Sequence, residues 1–275
     1  MNLFAKLLKK LLSPRHTAYI IAHRYIKRYE GFSYNFEKNG EERLLNSLKK
    51  FNINNVFDVG ANVGAWTIIA ANEFEYANIH SFELSDTTFE TLSKNLLEYE
   101  NIKLVNYGLS DESGNIKYKD YGRNNGANTI IVEADFHDTE SSHIIKNGIL
   151  TTGDKYCQEH KIDEIDILKI DVEGAEYLVL KGFAEKLSKG KIKVIQFEYG
   201  YTHADAKFLI KDFYKLLSEY GYLVGPLKPG GVIFMDFDYY LNGFNSGPNY
   251  VAVHKNQKQL IAAVKGPKIK GFPRS

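Results

Sequence analysis

Three features are scarce in this 275-residue chain, and each scarcity excludes a class of protein. A single cysteine, Cys157, excludes an internal disulfide and any zinc site built from several cysteines, and it fits a reducing compartment. No proline lies between Pro14 and Pro226, and no Ser/Pro/Gly-rich linker interrupts the chain. The sequence therefore predicts one large domain with a sizeable core and without a hinge between two halves.

Long apolar runs and an excess of one charge are also missing. No stretch approaches the roughly 18 apolar residues that cross a bilayer. The 35 basic and 34 acidic residues give a net charge of +1, which leaves no broad basic field for a nucleic-acid backbone, so no nucleic-acid partner is expected. A cytoplasmic location follows as an expectation.

The first residues form a basic amphipathic pattern. Within residues 1–14, leucines and Phe4 fall on one helical face, and Lys6, Lys9 and Lys10 fall on the other. Such a helix is a candidate for peripheral contact with the inner membrane surface. The alternative is that it packs against the domain or a partner subunit, and the oligomeric state is left open.

The stretch "NNVFDVGANVGAWTIIA" (54–70) predicts a buried strand, a glycine turn and a helix. Further strands and helices alternate along the chain as far as a hairpin near residue 230 and a closing strand at 249–255. This order predicts an α/β fold, a doubly wound and mostly parallel sheet with an antiparallel carboxyl-terminal edge. We divide the chain into an N-terminal helical extension (1–50), the sheet domain (51–256) and a basic tail expected to be disordered (257–275).

The glycine turn selects among nucleotide ligands. The third glycine of a dinucleotide fingerprint and the lysine of a P-loop are both missing after Gly60. Asp58 would repel a pyrophosphate but would attract an ammonium group. Glu83 ends the next strand, where a carboxylate accepts hydrogen bonds from both ribose hydroxyls. An adenosine ligand that carries an amino acid in place of phosphates is S-adenosylmethionine.

Four segments together resemble the FkbM family of S-adenosylmethionine-dependent methyltransferases, over roughly residues 40–255. They are "FDVGANVGAWT", "SFEL", "YGLSDESG" and "LKIDVEGAEYLVLKGF". The resemblance implies a class I, Rossmann-like methyltransferase fold with seven strands and the cofactor across their carboxyl edge. It also implies that Glu83 holds the ribose. The remaining cofactor-binding residues that it implies are Asp58, Gly60, Asn62 and Gly64 for the methionine part, and Leu109, Ser110 and Asp111 for the adenine.

Carboxylates at two further strand ends are the candidate catalytic residues. Asp171 follows the apolar run Ile-Leu-Lys-Ile, Glu173 lies in the next turn, and Glu198 ends a strand that is otherwise largely apolar. A partly buried carboxylate has a raised pKa and can remove the proton of an acceptor hydroxyl. His203 is a weaker candidate, because a histidine in an exposed loop is the more common case. No residue set has the spacing of a metal site.

The absence of certain motifs excludes several classes of methyl acceptor. No two prolines are adjacent, so the N/D-P-P-Y/F turn common in amine methyltransferases is missing, and Cys157 lies in a predicted helix rather than at a strand end. These absences and the family resemblance favour O-methylation of a hydroxyl on a sugar of a glycan, a glycolipid or a related metabolite. Two rivals stay open: a non-catalytic cofactor-binding module and an NAD-linked sugar oxidoreductase.

Overall fold

The structure is a computed structural model that describes residues 13–122, 126–133, 135, 138, 142–242 and 247–267. Most of the segment predicted to contact a membrane, residues 1–14, lies outside the described residues, and so does the end of the tail from residue 268. Among the described helices, none combines the length and the apolar character needed to span a membrane.

The centre of the fold is an eight-stranded sheet in the order β10-β9-β11-β8-β7-β1-β2-β3. Strands β1, β2, β3, β7 and β8 are parallel, whereas β11, β9 and β10 continue the sheet in antiparallel pairs beyond β8. The strands are β1 (Asn55–Val59), β2 (Asn78–Phe82), β3 (Ile102–Val105), β7 (Ile165–Ile170), β8 (Ile192–Glu198), β9 (Tyr222–Lys228), β10 (Gly231–Val232) and β11 (Asn249–His254).

This strand order confirms the predicted doubly wound, mostly parallel sheet with an antiparallel edge. The prediction counted seven strands; the eighth is the two-residue β10, which pairs with the end of β9 across a tight turn. Strand order reverses between β1 and β7, so the carboxyl ends of these two strands open a crevice. Ligands of open α/β sheets bind in such a crevice.

Helices cover both faces of the sheet because side chains alternate along each strand. Phe57 and Leu168 point into one apolar core, and their neighbours Val56 and Ile167 point into the other. The helices are α1 (Pro14–Tyr29), α2 (Phe36–Asn39), α3 (Glu41–Leu48), α4 (Ala65–Glu73), α5 (Asp86–Asn95), α6 (Gly153–Glu159), α7 (Glu176–Lys181), α8 (Ala184–Ser188), α9 (Thr202–Ala206), α10 (Ile210–Glu219) and α11 (Lys258–Val264), with a 3₁₀ turn at Tyr239–Asn242.

A second, three-stranded sheet lies beside the crevice. It has the order β4-β6-β5, with β4 (Gly108–Leu109) parallel to the end of β6 (Ile144–Thr151) and β5 (Gly114–Asp120) antiparallel to it. This small sheet brings Leu109 and Leu150 close to the carboxyl end of β2.

Both ends of the chain contribute to the core more than the sequence indicated. Helix α3 buries Leu44, Leu45 and Leu48 in the same apolar cluster as β1, so a boundary after residue 50 does not separate two structural units. Helix α11 adds Leu260 and Val264 to that cluster. The prediction of a disordered tail from residue 257 is therefore wrong for residues 258–264, whose apolar face was not recognised.

Candidate active site

The carboxyl ends of β1, β2, β4 and β7 surround a cavity of about 620 Å³, measured with its open mouth. Its walls contain both polar and apolar residues. The polar residues that border it include Asn62, Glu83, Asp171 and Glu173. The apolar and glycine residues are Val59, Gly60, Phe82, Leu84, Gly108, Leu109, Gly126, Ile130, Leu150, Val172 and Ala175.

The turn after β1 brings backbone to the cavity wall. The N–H groups of Gly60 and Ala61 both donate to the carbonyl oxygen of Phe82, at 3.0 and 2.8 Å. Gly60 has a φ of +83°, and a Cβ at this position would overlap the carbonyl oxygen of Asp171. Only glycine therefore allows β1 and β7 to approach each other at the floor of the cavity.

Gly60→Ala is expected to destabilise the domain by more than about 3 kcal/mol, because positive-φ strain and a backbone overlap add. Thermal unfolding of the variant, followed by circular dichroism, measures this. Gly122→Ala is the matched control, since Gly122 also has a positive φ, +99°, but a Cβ added there would meet no atom of the described residues within 4 Å. Equal losses of stability in the two variants would mean that the backbone overlap at Gly60 contributes nothing to the destabilisation.

Glu83 lies one residue beyond β2, where only 7% of its surface is exposed. Its Oε2 accepts a hydrogen bond from the N–H of Asn62, and its Oε1 accepts one from the N–H of Ser85, both at 2.9 Å. Burial raises the pKa of Glu83 to about 7, although both backbone hydrogen bonds lower it. A carboxylate offers about four lone-pair sites, so two are left for a ligand that enters the cavity.

The pKa of Glu83 predicts that cofactor affinity depends on pH. Because the ionised carboxylate is the form that accepts from hydroxyls, Kd should rise about tenfold between about pH 8 and about pH 6. In the cofactor-free protein, rising pH has an unfavourable effect on stability. Because burial raises the pKa of Glu83 above its value in the unfolded chain, the free energy of unfolding decreases as the pH rises towards 7 and Glu83 ionises within the protein. Calorimetric titration of S-adenosylmethionine across this range measures the affinity. A similar pH dependence in Glu83→Gln would assign it to another group.

Two cavity residues have backbone conformations that are uncommon for their type. Asn62 has a φ of +49° and Glu173 a φ of +53°. Such strain persists where the surrounding structure enforces it, and it is concentrated at functional sites. The Oδ1 atom of Asn62 is also buried without a hydrogen-bond partner in the described part of the chain, so a ligand donor in the cavity would satisfy it.

Asp58 and Gly64, predicted for the methionine part of the cofactor, do not border the cavity. Asp58 is fully buried inside β1, where it accepts a hydrogen bond from Thr67 Oγ1 at 2.6 Å and pairs with Lys169 Nζ at 3.1 Å. Gly64 begins α4, and a Cβ there would press on Leu92 of α5. Their roles in the fold are a buried counter-charge and close helix packing.

Of the three residues predicted for the adenine, only Leu109 borders the cavity. Ser110 is buried behind it and its backbone N–H donates to the carbonyl oxygen of Thr151. The carboxylate of Asp111 pairs with Lys181 Nζ at 2.5 Å. The apolar end of the cavity is instead completed by Leu84, Ile130 and Leu150. Leu84 ends the motif "SFEL", and the other two lie outside the quoted motifs.

The three candidate catalytic carboxylates converge. Asp171, Glu173 and Glu198 each offer an oxygen atom within 4.8 Å of the other two, a spacing at which a cation could also be bound. Burial raises the pKa of Glu198 well above its usual range, and the charges of Asp171 and Glu173 raise it further. Like charges this close disfavour the state in which all three carboxylates are ionised together.

Lys169 supplies positive charge below this cluster. Its Nζ lies 3.3 Å from Asp171 Oδ2 and 3.1 Å from Asp58 Oδ1. Burial alone would lower the pKa of Lys169, but Asp58 and Asp171 hold it above its usual range. The register of β7 against β1 pairs Lys169 with Asp58.

A buried pair shapes the turn that carries Glu173. Glu176 accepts hydrogen bonds from the N–H groups of Val172 and Gly174, at 2.8 and 2.9 Å. Its Oε2 lies 2.8 Å from His203 Nε2, and His203 is only 1% exposed. The prediction of His203 as an exposed loop histidine is therefore wrong, because α9 turns it inwards against α7.

Part of the segment after β5 closes the cavity from above. Gly126, Asn128 and Ile130 border it, and Thr129 Oγ1 donates to the carbonyl oxygen of Glu173 at 2.7 Å. The weak periodicity of residues 122–148 predicts a loop of functional type but does not indicate which of them reach the site, and residues 144–148 belong to β6 instead.

The comparisons with known proteins agree with this arrangement. A family model described as the methyltransferase FkbM domain matches residues 58–224. The chain belongs to the FkbM methyltransferase family. The match includes the glycine turn and all three clustered carboxylates, and membership of the family makes S-adenosylmethionine the cofactor.

Proteins similar to this chain include a hexuronic acid methyltransferase, AglP, of Haloferax volcanii, which is 30% identical over 60% of this chain and 61% of its own length. The methyltransferase sdnD of Sordaria araneosa is 27% identical over 48% of this chain and 61% of its own. The chain thus spans about three fifths of the length of these relatives. Among solved structures, SMU.1697c of Streptococcus mutans in complex with SAH is similar with a TM-score of 0.43 and 13% identity, covering 78% of this chain and 97% of that one.

The cavity fits S-adenosylmethionine in the order of its parts. The amino-acid end requires polar partners and close backbone, which Gly60 and Asn62 would provide. The ribose hydroxyls require acceptors, which Glu83 would provide, and the adenine requires an apolar slot between Leu109 and Ile130. The unpartnered Oδ1 of Asn62 supports this fit, because it can accept a hydrogen bond from a ligand donor.

Proposed function

We propose that this protein is an S-adenosylmethionine-dependent O-methyltransferase that methylates a hydroxyl group of a sugar. The observation that carries the proposal is the cluster of Asp171, Glu173 and Glu198, of which the first two border the cofactor cavity. A carboxylate at the edge of the cofactor site can accept the proton of a hydroxyl as its oxygen is methylated.

Two members of the cluster, Asp171 and Glu198, have distinct tasks in this mechanism. The cofactor supplies an electrophilic methyl group when it is bound. Asp171 accepts the proton of the acceptor hydroxyl. The protonated Glu198 donates a hydrogen bond to Asp171 and so orients it, and Lys169 limits the build-up of negative charge.

The surroundings of the cluster support a sugar as the acceptor. Tyr201, three residues after Glu198, is 44% exposed, and aromatic faces beside carboxylates suit a ring that has both C–H faces and hydroxyls. The hexuronic acid named for the Haloferax relative is also a sugar. Because three carboxylates repel an anion, we propose an uncharged sugar for this chain.

Methyl transfer from labelled S-adenosylmethionine to a set of glycosides tests the proposal. Neutral hexosides should become labelled at oxygen and should react faster than the matching hexuronates. Cofactor binding without transfer to any glycoside would favour a cofactor-binding module, and binding of NADH in place of S-adenosylmethionine would favour an oxidoreductase. Either result would reject the proposed activity.

A further inference from the structure

Helix α1 stands apart from the rest of the domain. From Pro14 to Arg28 none of its residues is buried. The exposed fraction is 64% for Tyr19, 62% for Ile21, 69% for Tyr25 and 40% for Ile26. Four large apolar side chains exposed on one 16-residue helix indicate a surface that binds a partner molecule or a membrane.

The side chains of α1 separate largely into two faces, with the exceptions of Arg15 on the apolar face and Ile20 on the basic one. Ala18, Ala22 and Ile26 follow one another at intervals of four residues, and Ile21 and Tyr25 form the adjacent row. The other side is basic, with Lys27 and Arg28 in its last turn. It also carries His16, His23 and Arg24.

The charge around this helix has one sign. Residues 1–29 contain seven Lys and Arg and no Asp or Glu, although the whole chain has a net charge of only +1. Basic residues on one face and tyrosine and isoleucine on the other are typical of helices that lie in a membrane interface. Pairing with a second copy would bring like charges together, and a nucleic-acid backbone would leave the apolar face uncovered.

A buried ion pair fixes the base of α1 to the domain. Lys228 Nζ lies 2.9 Å from Glu30 Oε2 and also donates to the carbonyl oxygen of Glu30. Glu30 is 1% and Lys228 is 2% exposed. Tyr34 follows Glu30 by four residues. Burial raises the pKa of Tyr34, and the negative charge of Glu198 raises it further, which places Tyr34 near the catalytic cluster. The anchored carboxyl end of the helix therefore lies close to the active site.

We propose that α1 docks the enzyme onto the surface of a membrane rich in anionic phospholipid, with its apolar face in the interface and its basic residues at the headgroups. The site then faces the membrane, and the acceptor sugar is carried by a lipid. This second statement rests on the proposed function, whereas docking itself does not.

Co-sedimentation of the full chain with vesicles tests the docking. The protein should bind to vesicles of phosphatidylcholine mixed with phosphatidylglycerol, and only weakly to phosphatidylcholine alone. Replacing Arg24, Lys27 and Arg28 by glutamine should lower the partition coefficient by about 100-fold, because each basic residue near an anionic surface contributes about fivefold. Replacing Ile21, Tyr25 and Ile26 by serine should lower it by at least about tenfold.

Three exposed lysines on other elements provide the matched control. Replacing Lys94, Lys155 and Lys161 by glutamine removes the same charge from the chain and should leave vesicle binding within about twofold of the original, because these residues lie outside α1. Titration with S-adenosylmethionine shows that every variant is folded, and it reports on the cofactor site independently of docking. Equal vesicle binding by all variants, or conversion of a dimer to a monomer by the serine variant, would overturn the proposal.

Discussion

Replacing Asp171 by asparagine is expected to lower kcat by about 10²–10⁴-fold, which is the usual contribution of a general base. Asparagine has nearly the shape of aspartate but cannot accept the proton of the acceptor hydroxyl. The Kd of S-adenosylmethionine should change by less than about tenfold, because Lys169 keeps its contact with Asp58 and the backbone of residue 171 still packs on Gly60. Single-turnover methyl transfer and calorimetric titration measure the two quantities separately.

Asp163→Asn is the matched control for this variant. Asp163 also pairs with a lysine, Lys191, but its side chain is 79% exposed and it precedes β7 instead of following it. Its substitution should leave kcat unchanged, since exposed ion pairs contribute little. A kcat in Asp171→Asn that equals that of the control would assign the proton transfer to Glu173 or to the solvent.

Replacing Glu83 by alanine is expected to weaken S-adenosylmethionine binding by more than about 100-fold. Two hydrogen bonds from ribose hydroxyls to a charged acceptor are worth about 3–6 kcal/mol. The variant also leaves the N–H groups of Asn62 and Ser85 without their acceptor, so the free energy of unfolding should decrease by about 1–3 kcal/mol. Calorimetry with S-adenosylmethionine and S-adenosylhomocysteine, together with thermal unfolding, measures both effects.

The control for Glu83 is Glu98→Gln, which changes an exposed glutamate that follows α5. It should bind the cofactor like the unaltered protein. Glu83→Gln separates the two effects of alanine, because an amide fills the same space but presents an N–H group to one of the two backbone donors. If Glu83→Ala bound S-adenosylmethionine with undiminished affinity, Glu83 would have only its structural role in the turn.

The sequence was informative where a single local pattern determines the geometry. The strand–glycine turn–helix at residues 54–70 fixed the position of Gly60, and the end of β2 fixed that of Glu83. Asp58 stays only a predicted cofactor contact, because closeness to the turn in sequence does not determine where its side chain points. It lies two residues before Gly60, inside the strand, and there its side chain points towards α4 and Lys169 rather than into the crevice.

Contacts between distant parts of the chain could not be predicted in this way. The link from Thr129 to Glu173 and the pair of Glu176 and His203 join separate elements, and neither leaves a periodic signal. The contacts of Ser110 and Asp111 with the adenine stay predictions for a related reason. Both residues follow Leu109 within the motif "YGLSDESG", but neither borders the cavity, because β4 pairs with β6 of the small sheet.

Helix α3 has a consequence for how this chain and its relatives diverge. Its first residue, Glu41, is 4% exposed and accepts a hydrogen bond from Gln196 of β8. The negative charge of Glu41 also raises the pKa of Lys169. The family match begins only at residue 58, so this carboxylate lies outside the segment that the family defines. Residues 41, 169 and 196 should therefore vary together among homologues, and the N-terminal segment should be inherited with the catalytic domain rather than exchanged independently of it.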